Sequence, residues 1–133
     1  AAAHAGWKGT AAKIGAKTVR TMQERYGSQP GNILAVVGPS IGPCHYQVDT
    51  PVIRKIRGAY PDVWEQLLTE FSEDGHANLN LWEANARSLC EAGCSRDNIT
   101  VMSLCTYCNQ DVLFSHRAGM AGRQAAIFML TGK

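Results

Sequence analysis

The sequence predicts a layered fold of mixed helices and strands, α/β or α+β, around a sheet core, and three observations predict it. Short apolar runs bounded by turn residues alternate with stretches of helical periodicity. Glycine and proline fall at the junctions, where the chain must turn. No repeat, low-complexity tract or linker interrupts the 133 residues, so residues 1–133 are expected to form a single domain.

Taken in order, "AAAHAGW" reads as the end of a buried strand, after which Gly6 and Gly9 permit a tight turn. A helix then runs from Thr10 as N-cap to Gly27 as stop. Ala12, Gly15, Val19, Met22 and Tyr26 form its apolar side, and Lys13, Lys17, Arg20 and Glu24 a solvated one. "NILAVVG" is a short buried strand. "GPSIGPCHYQV" is a rigid loop, because its prolines fix φ and remove donors. "DTPVIRKIRGAYPDVWEQLLTEF" divides at Pro61 into two short helices, with Asp49 and Thr50 available to cap the first. "EDGHANLN" is a loop with a short extended piece. Asn80 and Glu83 open the next helix as a capping box; Trp82, Ala86, Leu89 and Cys90 form its stripe, Glu83, Arg87 and Glu91 its outer face, and Gly93 its end. "ITVMSL" is a β-branched strand, "CTYCNQDVLFSHRAGMAGR" a long irregular segment and "QAAIFML" a last strand. A long irregular stretch in a compact domain tends to carry function.

The chain is 45% hydrophobic and 18% charged with a net charge of +2, too weakly basic to imply nucleic acid as a partner. A small molecule is the expected partner. Five unevenly spaced cysteines, without a charged and then apolar leader ahead of them, argue for reduced thiols and a cytoplasmic location. No apolar run approaches the ~18 residues that cross a bilayer, so no membrane association is expected.

Several residue groups could carry chemistry. His4 could bind metal or act as a base, but a zinc site takes three or four ligands, and no other His or Cys lies within thirty residues of it. Lys8 and the following Gly-Thr at a helix start suggest anion binding. Cys105-x-x-Cys108 with Cys90-x-x-x-Cys94 has the spacing of a four-thiolate zinc site. Against it, Cys90 lies on the apolar stripe, where cysteine serves as a small hydrophobe. Arg117 and Arg123 flank a glycine-containing turn and could hold phosphate or carboxylate. Cys44-His45 is discounted as nucleophile and base, because neighbours on an extended strand face opposite ways.

Together "AAAHAGWKGT", "VVGPSIGPCHYQV", "NLNLWEANARSLCEAG" and "CTYCNQDVLFSHRAGMAGRQAAIF" closely resemble the laccase-domain family, also called multicopper polyphenol oxidoreductase or peptidoglycan editing factor. The resemblance implies a four-layer α/β/β/α sandwich with mixed sheets, incomplete in this chain, and purine nucleoside phosphorylase and adenosine deaminase activities. It makes His4, in the H-A-G-W motif, one of three protein ligands to zinc. The other two, a His and a Cys, belong to upstream Q-x-H-G and A-D-C motifs, neither of which occurs here. The chain thus resembles a carboxyl-terminal portion, expected to be weak or inactive alone and to hold zinc poorly at His4. The resemblance also makes Lys8, Arg117 and Arg123 phosphate-site residues, with Lys8 and Arg117 serving catalysis. His116 departs from the family pattern, which has tyrosine there, and Lys8 stands where arginine is common. Alternatives are a copper-dependent polyphenol oxidase, for which four scattered histidines are few, and a truncated non-catalytic module with an exposed apolar face that favours homo-oligomers.

Overall fold

In the computed structural model, residues 1–127 and 129 are described. The elements are α1 (Trp7–Ala11), α2 (Ile14–Tyr26), β1 (Ala35–Val37), β2 (Gln47–Val48), α3 (Thr50–Ala59), α4 (Trp64–Leu67), β3 (Leu68–Thr69), β4 (Ala77–Leu79), α5 (Leu81–Glu91) and β5 (Ile99–Val101). Strands β1 and β5 pair in parallel with Ala35 opposite Ile99, and β2-β4-β3 form an antiparallel sheet with Val48 opposite Ala77 and Leu68 opposite Leu79. The fold is therefore α+β with one parallel and one antiparallel sheet among the described residues.

Each sheet has its own core, and α5 serves both. Val52, Ile53, Ile56 and Tyr60 recur at helical spacing along α3 and pack on Leu67, Leu68, Ala77 and Leu79 of the antiparallel sheet, joined by Leu81 and Ala84 of α5. Asn78 is less buried than its β4 neighbours Ala77 and Leu79, as the period of two requires. Farther along α5, Ala86 packs with Val19 of α2, Cys94 and Ile99 over the parallel pair. The expected caps are present: Asp49 accepts from Val52 N at 3.3 Å, and Asn80 Oδ1 accepts from Glu83 N at 3.1 Å. The second half of the capping box is not made, because Glu83 pairs instead with Arg87 one turn on. Gly27 ends α2 in the left-handed conformation at φ 65°.

Several expectations are corrected. Residues 1–4 are exposed coil rather than a buried strand, since no described strand lies beside them and an extended segment becomes a strand only by pairing. The helix foreseen from Thr10 to Gly27 is two helices, broken where Lys13 adopts φ 52°. That left-handed lysine is held by an ion pair to Glu91 and by its Nζ lying 4.8 Å from the Tyr60 ring centroid. Ala12 and Tyr26 are exposed, so the buried side of α2 is Ala16 and Val19. On α5 the fully buried residues are Leu81, Ala84, Asn85, Ala86 and Ser88, whereas Trp82, Leu89 and Cys90 are half-buried. Of the last foreseen strand, Gln124 to Ile127 carry no strand or helix, and Phe128 and Leu130 lie outside the described residues. Among the described residues no helix is long and apolar enough to cross a membrane.

Thr10 is not a cap but a fully buried hub. Its Oγ1 donates to Ala5 O at 3.0 Å and accepts from Asn85 Nδ2 at 3.0 Å, while its carbonyl accepts from Tyr60 Oη at 3.0 Å. One residue thus ties the amino-terminal segment to α3 and α5, and burial pushes the Tyr60 phenol up to about 12. Thr10→Val keeps the shape but leaves one N–H of the Asn85 amide, whose other bond goes to Leu81 O at 2.8 Å, and the Ala5 carbonyl without their Thr10 partner, and should lower stability by about 1–3 kcal/mol in urea denaturation. Thr10→Ser keeps the oxygen and should lose only about 1 kcal/mol of packing; equal losses in the two variants would show that the hydrogen bonds contribute nothing.

Candidate functional site

The amino-terminal hub places His4 and Lys8 around a small concavity with Gly6, Trp7 and Gly9. The chain folds back on itself here. A side chain at Gly9 would put its Cβ 2.9 Å from the His4 carbonyl oxygen, and one at Gly6 would stand 3.2 Å from His4 Nε2. Gly9 is therefore needed for the chain to fold back on the His4 carbonyl, whereas a side chain at Gly6 would press on the imidazole itself. His4 is exposed. Lys8 sits inside the short helix α1 with Nζ 5.6 Å from the Trp7 ring centroid, and α1 is too short to present the dipole expected for an anion site.

Trp7 also lines a second, open cleft of about 340 Å³ with Tyr46, Val48, Asp49, His76 and Arg117. The Arg117 guanidinium lies 5.2 Å from the Tyr46 ring centroid and donates from Nη1 to Gln47 O at 3.0 Å. That bond engages one of its five N–H groups. Burial raises the Tyr46 phenol, and the Arg117 charge partly offsets the rise. The irregular segment thus returns to the antiparallel sheet and delivers one of its two arginines to the cleft. Arg123 instead donates to the carbonyls of Ala121 and Gly122 within its own turn and lines neither concavity. His116 is exposed. Tyr46, Asp49 and His76 had no signal as cleft residues in the sequence, because their convergence depends on the β2-β4 pairing.

Cysteine placement differs from the spacing argument. Cys90 and Cys94 belong to the apolar core over β1 and β5, where burial pushes the Cys94 thiol up. Cys105 and Cys108 join Cys44 and His45 instead, and the ligand atoms of these four side chains lie within 4.8 Å of one another. His45 Nδ1 is 3.3 Å from both Cys44 Sγ and Cys108 Sγ, and the two sulfurs are 3.7 Å apart. Cys44 and His45 converge because they stand in a turn, not on a strand: the amides of His45 and Tyr46 both donate to Gly42 O, at 3.1 and 3.0 Å. His45 stacks on Tyr107 at 4.4 Å between centroids.

This loop is docked by continuation of the parallel pairing beyond β1 and β5. Met102 N donates to Val37 O at 3.0 Å, Ser40 N to Leu104 O at 3.3 Å and Thr106 N to Ser40 O at 3.1 Å. Ser103, at φ 52°, makes the kink that shifts the register. Trp82 Nε1 donates to Ser40 Oγ at 2.8 Å, and Gly42 N donates to the buried Cys105 Sγ at 3.2 Å. Desolvation alone would raise the Cys105 thiol, but N–H groups of Gly42, Cys108 and Tyr107 outweigh it and bring it down to about 6. Partial desolvation and the sulfurs of Cys105 and Cys108 push Cys44 up to about 11.

The family model described as multi-copper polyphenol oxidoreductase laccase matches residues 1–131, and the chain belongs to this family. It is 40% identical over 126 residues to purine nucleoside phosphorylase YlmD of Geobacillus stearothermophilus, covering 93% of this chain and 46% of that protein. It is 32% identical over 117 residues to adenosine deaminase RL5 of an unknown prokaryotic organism, covering 88% and 44%. Among solved structures, hypothetical protein YfiH of Bacillus licheniformis superposes with a TM-score of 0.82 at 45% identity, covering 86% of this chain and 43% of that one. The chain spans less than half the length of these relatives.

The close approach at Gly42 gives a direct test of the docking. A Cβ there would stand 2.6 Å from Trp82 Cη2 and 3.2 Å from Cys105 Cβ. Gly42→Ala should destabilise the chain by about 1–3 kcal/mol through overpacking and shift Trp82 emission. A wild-type melting curve and spectrum would mean that the loop does not dock as described.

Proposed function

We propose, from membership of that family, that this chain forms one part of a zinc-dependent enzyme that phosphorolyses purine nucleosides and deaminates adenosine in the cytoplasm. The observation that carries the reading is the place of Trp7, which lines both the His4–Lys8 concavity and the Arg117 cleft. An indole set between an imidazole and a guanidinium suits a purine nucleoside, with the base on the aromatic face and an anion at the cationic end. The relatives named purine nucleoside phosphorylase and adenosine deaminase support the same two activities.

His4 fits zinc as one donor: it is an exposed imidazole over a glycine turn, but a single ligand is not a catalytic site. The remaining ligands are those that the resemblance assigns to upstream motifs. His4 and those ligands would hold the ion, which would supply an activated nucleophile for deamination.

In phosphorolysis a phosphate oxygen would bond to C1′ of the ribose as the C1′–N9 bond breaks and the purine leaves, taking a proton from solvent, while Lys8 and Arg117, in the two concavities that share Trp7, would hold the phosphate. Their charge also stabilises the anionic partner of the oxocarbenium-like transition state. The bond from Arg117 to Gln47 O and its place over the Tyr46 ring hold the guanidinium before substrate arrives. Arg123, lying in its own turn, would join the phosphate site by a change of rotamer that exchanges the Ala121 and Gly122 carbonyls for phosphate oxygens.

The test uses the protein carrying the complete ligand set. Hypoxanthine should appear from inosine and phosphate, and ammonia from adenosine. Oxygen uptake with a phenolic substrate in place of both would support the copper-dependent oxidase instead. Arg117→Gln should raise the phosphate KM about 10-fold or more, matching the loss of a charge-assisted bond worth about 1.5–3 kcal/mol, with little change in Tm. A collapse in Tm would mark Arg117 as structural. In a variant with Trp7 as the sole tryptophan, saturating inosine should quench fluorescence, and no change would remove Trp7 from the site.

A further inference from the structure

The Cys44, His45, Cys105 and Cys108 cluster lies apart from His4: neither concavity near the amino terminus is lined by any of its members. Its geometry is that of a ligand set. In a tetrahedral zinc site, with Zn–S near 2.3 Å and Zn–N near 2.0–2.1 Å, two sulfurs stand about 3.8 Å apart and a sulfur and nitrogen about 3.6 Å apart. Here Cys44 Sγ and Cys108 Sγ are 3.7 Å apart, and His45 Nδ1 is 3.3 Å from each. These three of the six edges lie within about 0.3 Å of the tetrahedron's, and all four ligand atoms, Cys105 Sγ included, fall within 4.8 Å of one another.

The surroundings agree with a metal rather than with apolar packing. Cys44, His45 and Cys108 are exposed, unlike Cys94, which lies in a core. Gly42 N donates to Cys105 Sγ at 3.2 Å, the backbone contact that orients a ligating thiolate. His45 is fixed against Tyr107, so its Nδ1 is aimed before any ion arrives.

We propose that Cys44, His45, Cys105 and Cys108 form a second, structural zinc site, which staples the loop at residues 38–46 to the turn at residues 105–108. Four protein ligands fill the tetrahedron and leave no position for water, so the site is closed and non-catalytic. The thiol protons pass to solvent as the ion binds, and no oxidant or reductant is required. The staple sits directly before Tyr46 and Gln47, to which Arg117 is anchored, so its loss loosens the Arg117 cleft without touching it.

This inference does not depend on the reading of His4, and the experiment separates the two. The reduced 133-residue chain is titrated with Co²⁺ and then with Zn²⁺, reading absorbance and bound metal. The expected result is one Co²⁺ per chain with a tetrahedral spectrum and a strong thiolate charge-transfer band, displaced by Zn²⁺. His4→Ala should leave both unchanged. Cys44→Ser with Cys108→Ser should abolish them, whereas Cys108→His, which keeps a donor, should retain the ion with a weaker band. Cys90→Ser serves as control and should bind normally. The proposal is overturned if the folded wild-type chain shows no charge-transfer band, if the double variant keeps its metal, or if Cys44 and Cys108 close a disulfide in preference to binding zinc.

Discussion

The approach of Gly42 to Cys105 is the constraint on which the functional half of this chain depends. The N–H to sulfur bond of 3.2 Å forms only because residue 42 has no Cβ, which would otherwise meet the Trp82 ring at 2.6 Å. From that contact the other features follow. Residues 43–45 turn back on the Gly42 carbonyl and bring Cys44 and His45 onto Cys105 and Cys108. Tyr46 emerges at the start of β2, where its ring meets Arg117. The parallel pair β1-β5 and the antiparallel sheet are thereby joined through one loop, with α5 beneath both.

The amino-terminal pole is held differently, by side-chain hydrogen bonds to the fully buried Thr10. Thr10 satisfies groups from α3, α5 and the segment before α1, and a buried donor left unmade there costs more than any exposed ion pair on the same helices returns. His4 and Lys8 inherit their position from this hub. The His4 concavity and the Arg117 cleft meet at Trp7, the residue common to both.

Much of this was legible in the sequence. The strands in "NILAVVG" and "ITVMSL", the caps at Asp49 and Asn80 and the stop at Gly27 rest on local chemistry and stand where it puts them, but the first strand is not buried as expected, since Leu34 is 81% and Val36 66% exposed. What local patterns cannot encode went otherwise. Thr10 has the residue type of a cap, yet tertiary hydrogen bonds claim its hydroxyl. The strand expected at the amino terminus had the right composition but no described partner. Spacing paired Cys105 and Cys108 with Cys90 and Cys94, whereas the fold groups them with Cys44 and His45, which stand 64 and 63 residues before Cys108. The clue to this was in the loop itself: Gly-Pro-Cys-His is a turn sequence, and in a turn adjacent side chains can face one point.

The account therefore describes two chemical poles, an open one at His4 with too few ligands of its own, and a closed one of three sulfurs and an imidazole. Anomalous diffraction at the zinc edge, from crystals of the complete protein, examines both directly. The account requires one peak among Cys44, His45, Cys105 and Cys108 and a separate peak within bonding distance of His4. A map with no density at the four-residue cluster, or with the His4 ring turned away from a fully ligated ion, would contradict it.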